Sequence, residues 1–155
     1  VIIREDLITE DTLPCTPTYM KYKIHADANS LYNTPNSYCI YMCGKVFKWL
    51  KKQGGLEVMK ARNEEKAAVL YDFLDSSRLF KGTVRREDRS LMNVPFVTGD
   101  KELDAKFVKE AEHAGLVNLK GHRSVGGMRA SIYNAMPLEG VKALVEFMKK
   151  FEEEN

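Results

Sequence analysis

The segment from Gly121 to Tyr133 constrains the fold of this chain most, because it joins a glycine turn to a regularly patterned strand. Gly126 and Gly127 allow a sharp backbone turn without a Cβ clash. Apolar side chains then recur at every second position. They are Met128, Ala130 and Ile132. This period predicts a half-buried strand that begins at the turn and carries Arg129 on the face opposite the core.

The same segment carries three cationic or ionisable side chains, namely His122, Arg123 and Arg129. Arginine stays charged, and its planar fork matches a carboxylate or a phosphate bidentately. Histidine adds a donor whose charge changes near neutral pH. Two guanidiniums and an imidazole around one turn indicate a ligand with two anionic groups. The alternative is a solvated basic loop, or an arginine paired with a surface glutamate.

The composition predicts a globular chain and argues against two classes of partner. Of the 155 residues, 44% are hydrophobic and 30% are charged, which suffices for an ordinary core. The formal net charge is +2, and acidic residues are interleaved with basic ones. We therefore expect neither a nucleic-acid-binding nor a membrane-binding surface. With no membrane-length hydrophobic run and no signal-peptide pattern, the expected location is cytoplasmic.

The cysteines and two charged runs predict no site of their own. Cys39 and Cys43 lack the further ligands of a zinc set, so buried, reduced thiols and no metal are expected. The basic run Arg85–Arg89 also contains acidic residues, and Glu152–Glu154 ends a helix. Both runs are interpreted as solvated surface.

Periodicity and capping residues predict an α/β chain in which a small antiparallel or mixed sheet is covered by helices, an α+β layer arrangement. The predicted elements are helices beginning at Thr34, Leu56, Asp100 and Pro137, and strands at 90–97, 116–119 and 128–133. An opening strand at Val1–Arg4 is also predicted, in a sheet whose other strands are expected to lie outside this sequence. Pro95 indicates that the 90–97 strand lies at a sheet edge.

The helix start at Asn33-Thr34-Pro35 is a second candidate anion site. Thr34 is a favourable N-cap, and Pro35 suits the first helical position. Free backbone N–H groups and the helix dipole favour an anion at such a start. Asn33 and Thr34 add side-chain donors there. The alternative is that both residues only cap the helix.

Three motifs, in this order along the chain, closely resemble the phosphoserine aminotransferases. They are Tyr32–Pro35, Val46–Gly55 and Gly121–Ala135. The similarity runs from the opening strand to Asn155, and the Gly-His-Arg to Arg-Ala-Ser motif is highly specific to that family. The resemblance implies a fold-type-I, class-V enzyme that uses pyridoxal 5'-phosphate and works as a homodimer with composite active sites. Residues 1–53 would then be the end of the large cofactor-binding domain and a connecting helix, and residues 54–155 the C-terminal small domain.

The resemblance also implies an activity and a role for each candidate residue. The reaction transfers an amino group between glutamate and 3-phosphohydroxypyruvate, giving O-phosphoserine and 2-oxoglutarate in serine biosynthesis. Some bacterial members also act on a phosphorylated hydroxythreonine in pyridoxine biosynthesis. By similarity, Arg129 holds the substrate α-carboxylate, and His122 and Arg123 reach the substrate phosphate from the neighbouring subunit. Asn33 and Thr34 bind the cofactor phosphate, also across the dimer interface.

The family's Schiff-base lysine corresponds to a position upstream of Val1, and the aspartate and aromatic residue that contact the cofactor ring lie further upstream. We therefore expect a C-terminal portion that needs the upstream half of the enzyme and supplies no catalytic residue itself. Asn36 also departs from the family, because many relatives have a second proline after Pro35.

Two other functions remain open at this point. The first is another class-V enzyme, such as an alanine–glyoxylate-type aminotransferase or a cysteine desulfurase, which lacks the paired His122 and Arg123. The second is a non-catalytic module that binds an amino-acid-like anion and regulates a partner.

Overall fold

The structure, a computed structural model, describes residues 1–155 as two compact units, Val1–Trp49 and Leu50–Asn155. The first unit contains short 3-10 turns and helix α1, Tyr22–Asp27. Helix α2, Ser37–Lys52, begins in this unit. No residue of this unit is buried. The segment Val1–Arg4, for which strand partners outside this sequence are predicted, has no strand partner within residues 1–155, and Val1 and Ile2 are fully exposed. A strand needs a hydrogen-bonded neighbour, and none of residues 1–155 supplies one.

Helix α2 begins two residues after the predicted first helical position, Pro35. The side-chain oxygen of Asn36 accepts a hydrogen bond from the backbone N–H of Cys39 at 3.1 Å. Asn36, rather than Thr34, therefore acts as the N-cap, since an N-cap side chain satisfies an N–H of the first turn. Tyr38 and Met42 of α2 are exposed, and Cys39 and Cys43 are exposed too, so the prediction of buried thiols is wrong.

The second unit confirms the α+β arrangement. Its elements are α3, Gly55–Ser76; β1, Lys81–Gly82; β2, Asn93–Val97; α4, Lys101–His113; β3, Met128–Ser131; and α5, Leu138–Glu154. The sheet is antiparallel in the order β1-β2-β3. Asp100 caps α4 as predicted, accepting hydrogen bonds from the N–H groups of Glu102 and Leu103.

The core of this unit is centred on phenylalanines from every layer. Phe107 of α4 is fully buried, and its ring centroid lies 5.0–6.0 Å from those of four other phenylalanines. These are Phe80, Phe96, Phe147 and Phe151. Most of the contacts are edge-to-face or tilted, the arrangements that the aromatic quadrupole favours. The sheet is therefore held to α4 and α5 by one aromatic cluster.

Two strand predictions are corrected by the sheet. Pro95 lies in the central strand β2, not at an edge. The N–H of Thr83 donates to Pro95 O at 3.3 Å, and proline has no N–H to return that bond, so the β1 ladder ends at Gly82. The predicted strand at 116–119 is irregular. Asn118 takes a φ of +63°, and only Lys120 forms a bridge to β3.

Two charged side chains that were predicted to be solvated form hydrogen bonds between separate parts of the fold instead. Glu152 is 13% exposed and accepts hydrogen bonds from Ser77 Oγ at 2.6 Å and the backbone N–H of Arg78 at 2.8 Å. Arg89 is 16% exposed and donates to Asp75 at 2.8 Å. Both partners lie far away in sequence, which is why the short charged runs did not reveal them. None of the five α-helices has the length and apolar character needed to cross a membrane.

Candidate functional site

Strand β3 holds Arg129 on the face opposite the core, as the alternation predicts. Met128 and Ala130 are 1% and 2% exposed, whereas Arg129 is only partly buried. The Arg129 backbone N–H donates to Leu119 O at 2.8 Å, and its Cα is paired with that of Pro95. The root of the side chain is thus fixed on both sides.

The Arg129 guanidinium has no acidic partner within the chain. It forms no salt bridge, and its Nε atom is buried without a hydrogen-bond partner. A buried donor without a partner is costly, by about 1–3 kcal/mol. Arg123 forms no salt bridge either, so the alternative of an arginine–glutamate pair is wrong for both residues. Both remain available for an anionic ligand.

The loop before β3 is closed by its own backbone. The N–H of Gly121 donates to Gly127 O at 2.8 Å, and the N–H groups of Val125 and Gly126 donate to His122 O at 2.9 and 2.8 Å. Positive φ values of +80° and +62° at Gly126 and Gly127 make the turn possible. The loop therefore presents the His122 and Arg123 side chains from a hydrogen-bonded frame.

The hydrogen bonds of His122 determine which ring nitrogen is free. Its Nδ1 lies 2.7 Å from Ser124 Oγ and accepts from the backbone N–H of Ser124 at 3.3 Å. Since a backbone N–H only donates, Nδ1 is the acceptor and Nε2 carries the proton in the neutral ring. The His122 side chain is exposed, so Nε2–H is a donor available to a ligand.

A hollow beside this loop carries an excess of positive charge. Its lining includes Lys101 and Asp104 of α4 together with Lys120, His122 and Arg123. Asp104 is the only carboxylate there, and it accepts two hydrogen bonds from Thr98, each of 2.8 Å. Three permanent cations against one engaged carboxylate favour an anion. Arg129 does not line this hollow, so this cavity brings together only two of the three predicted residues, His122 and Arg123.

Asn33 and Thr34 belong to the Val1–Trp49 unit. Both are exposed, and neither side chain forms a hydrogen bond. The cap of α2 is Asn36, which leaves both side chains free of that role. The interpretation that they only cap the helix is therefore wrong.

A buried polar pair, Asn63 and Lys66 on α3, was missed by the sequence reasoning. The two residues are 5% and 3% exposed. Burial lowers the pKa of the Lys66 ammonium. The available signal was their position on the α3 stripe between Met59 and Leu70, where the apolar periodicity weakens.

Comparison with known proteins identifies the family of this chain. Residues 12–144 match the model of the class-V aminotransferases. The chain belongs to this family. It is 60% identical to the phosphoserine aminotransferase of Laribacter hongkongensis, covering 97% of this chain and 42% of that enzyme. It is 54% identical to that of Streptococcus agalactiae, covering 100% and 42%. The resemblance to phosphoserine aminotransferases is thereby confirmed.

Solved structures of phosphoserine aminotransferases have the same fold as this class-V chain. The enzyme from Bacillus circulans subsp. alkalophilus matches with a TM-score of 0.88 at 46% identity, over 98% of this chain and 42% of that one. The PLP-bound enzyme from Trichomonas vaginalis matches with a TM-score of 0.85 at 44% identity, over 95% and 42%. The chain thus spans 42% of the length of these relatives.

Proposed function

We propose that this chain is the C-terminal part of a phosphoserine aminotransferase that transfers an amino group between glutamate and 3-phosphohydroxypyruvate. The main observation behind the proposal is that two arginines form no salt bridge within the chain. They are Arg129 on strand β3 and Arg123 on the adjoining loop. The similarity to phosphoserine aminotransferases along nearly the whole chain supports the same substrate. Phosphohydroxypyruvate carries a carboxylate and a phosphate, which are the two anions that such a pair suits.

The two arginines have different tasks in this proposal. Arg129 binds the α-carboxylate, which gives its buried Nε an acceptor. Arg123 and the Nε2–H of His122 bind the phosphate of the substrate held by the neighbouring subunit, at the edge of the basic hollow. Each charge-assisted hydrogen bond contributes about 1.5–3 kcal/mol to binding. Together they position the substrate at two points and fix its orientation.

The cofactor of the proposed enzyme is pyridoxal 5'-phosphate, which supplies an electron sink for amino transfer when bound. Asn33 and Thr34 fit its phosphate, because both side chains are exposed and lack partners beside the start of a helix. Residues 1–53 form the end of the cofactor-binding domain with a connecting helix, and residues 54–155 form the small domain. The whole enzyme is a cytoplasmic homodimer in serine biosynthesis, with a further role in pyridoxine biosynthesis.

The test replaces Arg123 by alanine in the complete enzyme and compares two acceptors. We expect kcat/KM for phosphohydroxypyruvate to fall about 10- to 150-fold, the equivalent of one lost charge-assisted hydrogen bond. The value for pyruvate or glyoxylate, which lack the phosphate, should change little. Arg86→Ala, which removes an exposed arginine elsewhere in the same unit, is the control. Equal losses for both kinds of acceptor would show that Arg123 does not bind the phosphate.

The chain alone is expected to have no aminotransferase activity, because the Schiff-base lysine would lie in the upstream part. Amino transfer from glutamate would be measured with the isolated chain and added pyridoxal phosphate. The baseline is the same mixture without protein. Any turnover above this baseline contradicts the proposal that catalysis needs the upstream half.

A further inference from the structure

The turn that follows β3 is folded around one ammonium group. Lys66 Nζ donates to the backbone oxygens of Ile132 at 3.2 Å, Tyr133 at 2.8 Å and Met136 at 3.1 Å. A lysine ammonium has three N–H donors, so these three carbonyls use all of them. The donor lies on α3, and the acceptors lie between β3 and α5.

No carboxylate accompanies this buried ammonium. Lys66 is 3% exposed and forms no salt bridge. Burying a charged group is unfavourable unless its hydrogen bonds are satisfied. The carbonyl dipoles provide that compensation here, and conversely the ammonium offsets the repulsion between three converging oxygens. The conformation of the turn and the burial of Lys66 therefore depend on each other.

Asn63, one turn earlier on α3, holds the same segment. Its Nδ2 donates to Asn134 Oδ1 at 2.8 Å. The N–H of Ile132 also donates to Met92 O at 2.8 Å, and that of Met136 donates to Tyr133 O at 2.9 Å. Side chains of α3 thus hold the segment at Ile132, Tyr133, Asn134 and Met136, and Met92 holds Ile132 from the other side.

The strand that leads into this turn, β3, is very short. β3 has four residues and lies at a sheet edge, and Arg129 is three residues before Ile132. The Arg129 side chain has no partner of its own to orient it. Its direction is therefore set by the backbone of β3, whose carboxyl end continues into the turn that Lys66 holds.

We propose that Lys66 is a positioning residue that orients Arg129 by holding the turn 132–136. The proposal rests on the function assigned above to Arg129. Without the ammonium, the carbonyls of Ile132, Tyr133 and Met136 separate, and the end of β3 becomes mobile. A displacement of the guanidinium by about 1 Å lowers the rate of a positioned reaction by about 100-fold in the extreme case.

The experiment is a double-mutant cycle in the complete enzyme. KM and kcat for glutamate are measured in the wild type, Lys66→Met, Arg129→Lys and the double variant. We expect Lys66→Met to raise KM about tenfold while pyridoxal phosphate still binds with unchanged affinity. The double variant should have the KM of Arg129→Lys alone, because a positioning residue has nothing left to position. If the fold-increase in KM of the double variant equals the product of the increases in the two single variants, the proposal is overturned.

A second readout does not depend on activity. Hydrogen exchange of the peptide that covers residues 128–136 should be about tenfold faster in Lys66→Met than in the wild type. Lys60→Met is the matched control, since Lys60 lies on the same helix with a side chain that is 65% exposed. Unchanged exchange in Lys66→Met overturns the role of Lys66 even if the enzyme has another substrate. Faster exchange in an enzyme inactive on phosphohydroxypyruvate supports the role of Lys66 in holding the turn and rejects only the assigned function.

Should Lys66→Met not fold, Lys66→Gln provides the same test with a smaller change. The neutral amide offers two N–H donors instead of three, so at least one of the carbonyls of Ile132, Tyr133 and Met136 loses its partner. Faster exchange and a raised KM are then expected in the same directions. Wild-type values for both would contradict the proposal.

Discussion

Gly121 is the position where one added methyl group should distort the loop between Gly121 and Gly127 most. An ideal Cβ at Gly121 would lie 2.1 Å from Gly126 O and 2.7 Å from Gly127 O. Real Cβ atoms essentially never approach within 3.0 Å of such atoms, so Gly121→Ala must separate the two sides of the loop by about 0.9 Å. Both obstructing atoms belong to the backbone, which cannot rotate away as a side chain does.

The cost of this substitution has two parts. Separating the two sides of the loop lengthens the hydrogen bond from Gly121 N to Gly127 O, which is 2.8 Å in the structure, beyond useful range. Its loss costs about 1 kcal/mol, and the overpacking adds about 1–3 kcal/mol. We therefore expect Gly121→Ala to lower the free energy of unfolding by about 2–4 kcal/mol.

Gly126→Ala is the matched control in the same loop. A Cβ there meets no atom within 4 Å, so only the positive φ of +80° is unfavourable. That conformation costs a residue with a Cβ about 1–2 kcal/mol. Urea unfolding followed by circular dichroism would compare the two variants. In the complete enzyme, Gly121→Ala should also raise KM for phosphohydroxypyruvate, because His122 and Arg123 follow directly.

A Gly121→Ala protein that is no less stable than Gly126→Ala would contradict this expectation. That result would mean that the loop opens without cost. A destabilised Gly121→Ala protein with unchanged KM would instead show that the backbone hydrogen bonds of the loop stabilise the fold but are not needed to bind the phosphate.

Two further predictions concern the second unit. Burial alone raises the pKa of Glu152, but hydrogen bonds from Ser77 and Arg78 outweigh it, so the folded pKa lies below the ordinary 4.5. Its stabilisation is therefore complete above pH 4.5 and lost as the pH falls through the folded pKa. At pH 7, Glu152→Gln should be about 1.5–3 kcal/mol less stable than the exposed control Glu153→Gln. A difference that stays constant in urea titrations down to acid pH would argue against this. Phe107→Ala should lower the free energy of unfolding, measured by thermal or urea unfolding, by about 3–5 kcal/mol. Phe47→Ala is the control: its side chain is 63% exposed, so the free energy of unfolding should fall by less than about 0.5 kcal/mol. Similar losses for both would contradict the aromatic core.

Helices and the strand that carries Arg129 could be predicted from the sequence because their signals are local. The Asp100 cap and the alternation after Gly127 each involve residues within a few positions of one another. The candidate anion-binding residues were recognisable for the same reason, since they cluster in one motif. Their relative placement was not predictable, and Arg129 lies outside the hollow that contains His122 and Arg123.

The sequence by itself determined the helical periodicity, the alternation in β3 and the family, because each is recognisable from residues that lie close together along the chain. Only the tertiary structure decided that Pro95 is central in the sheet, that Glu152 meets Ser77 and that Lys66 lies beneath the turn after β3. The partners in the last two contacts are 75 and 66 residues apart. A polar side chain is buried only where distant groups satisfy its hydrogen bonds, and no local pattern records where those groups will be.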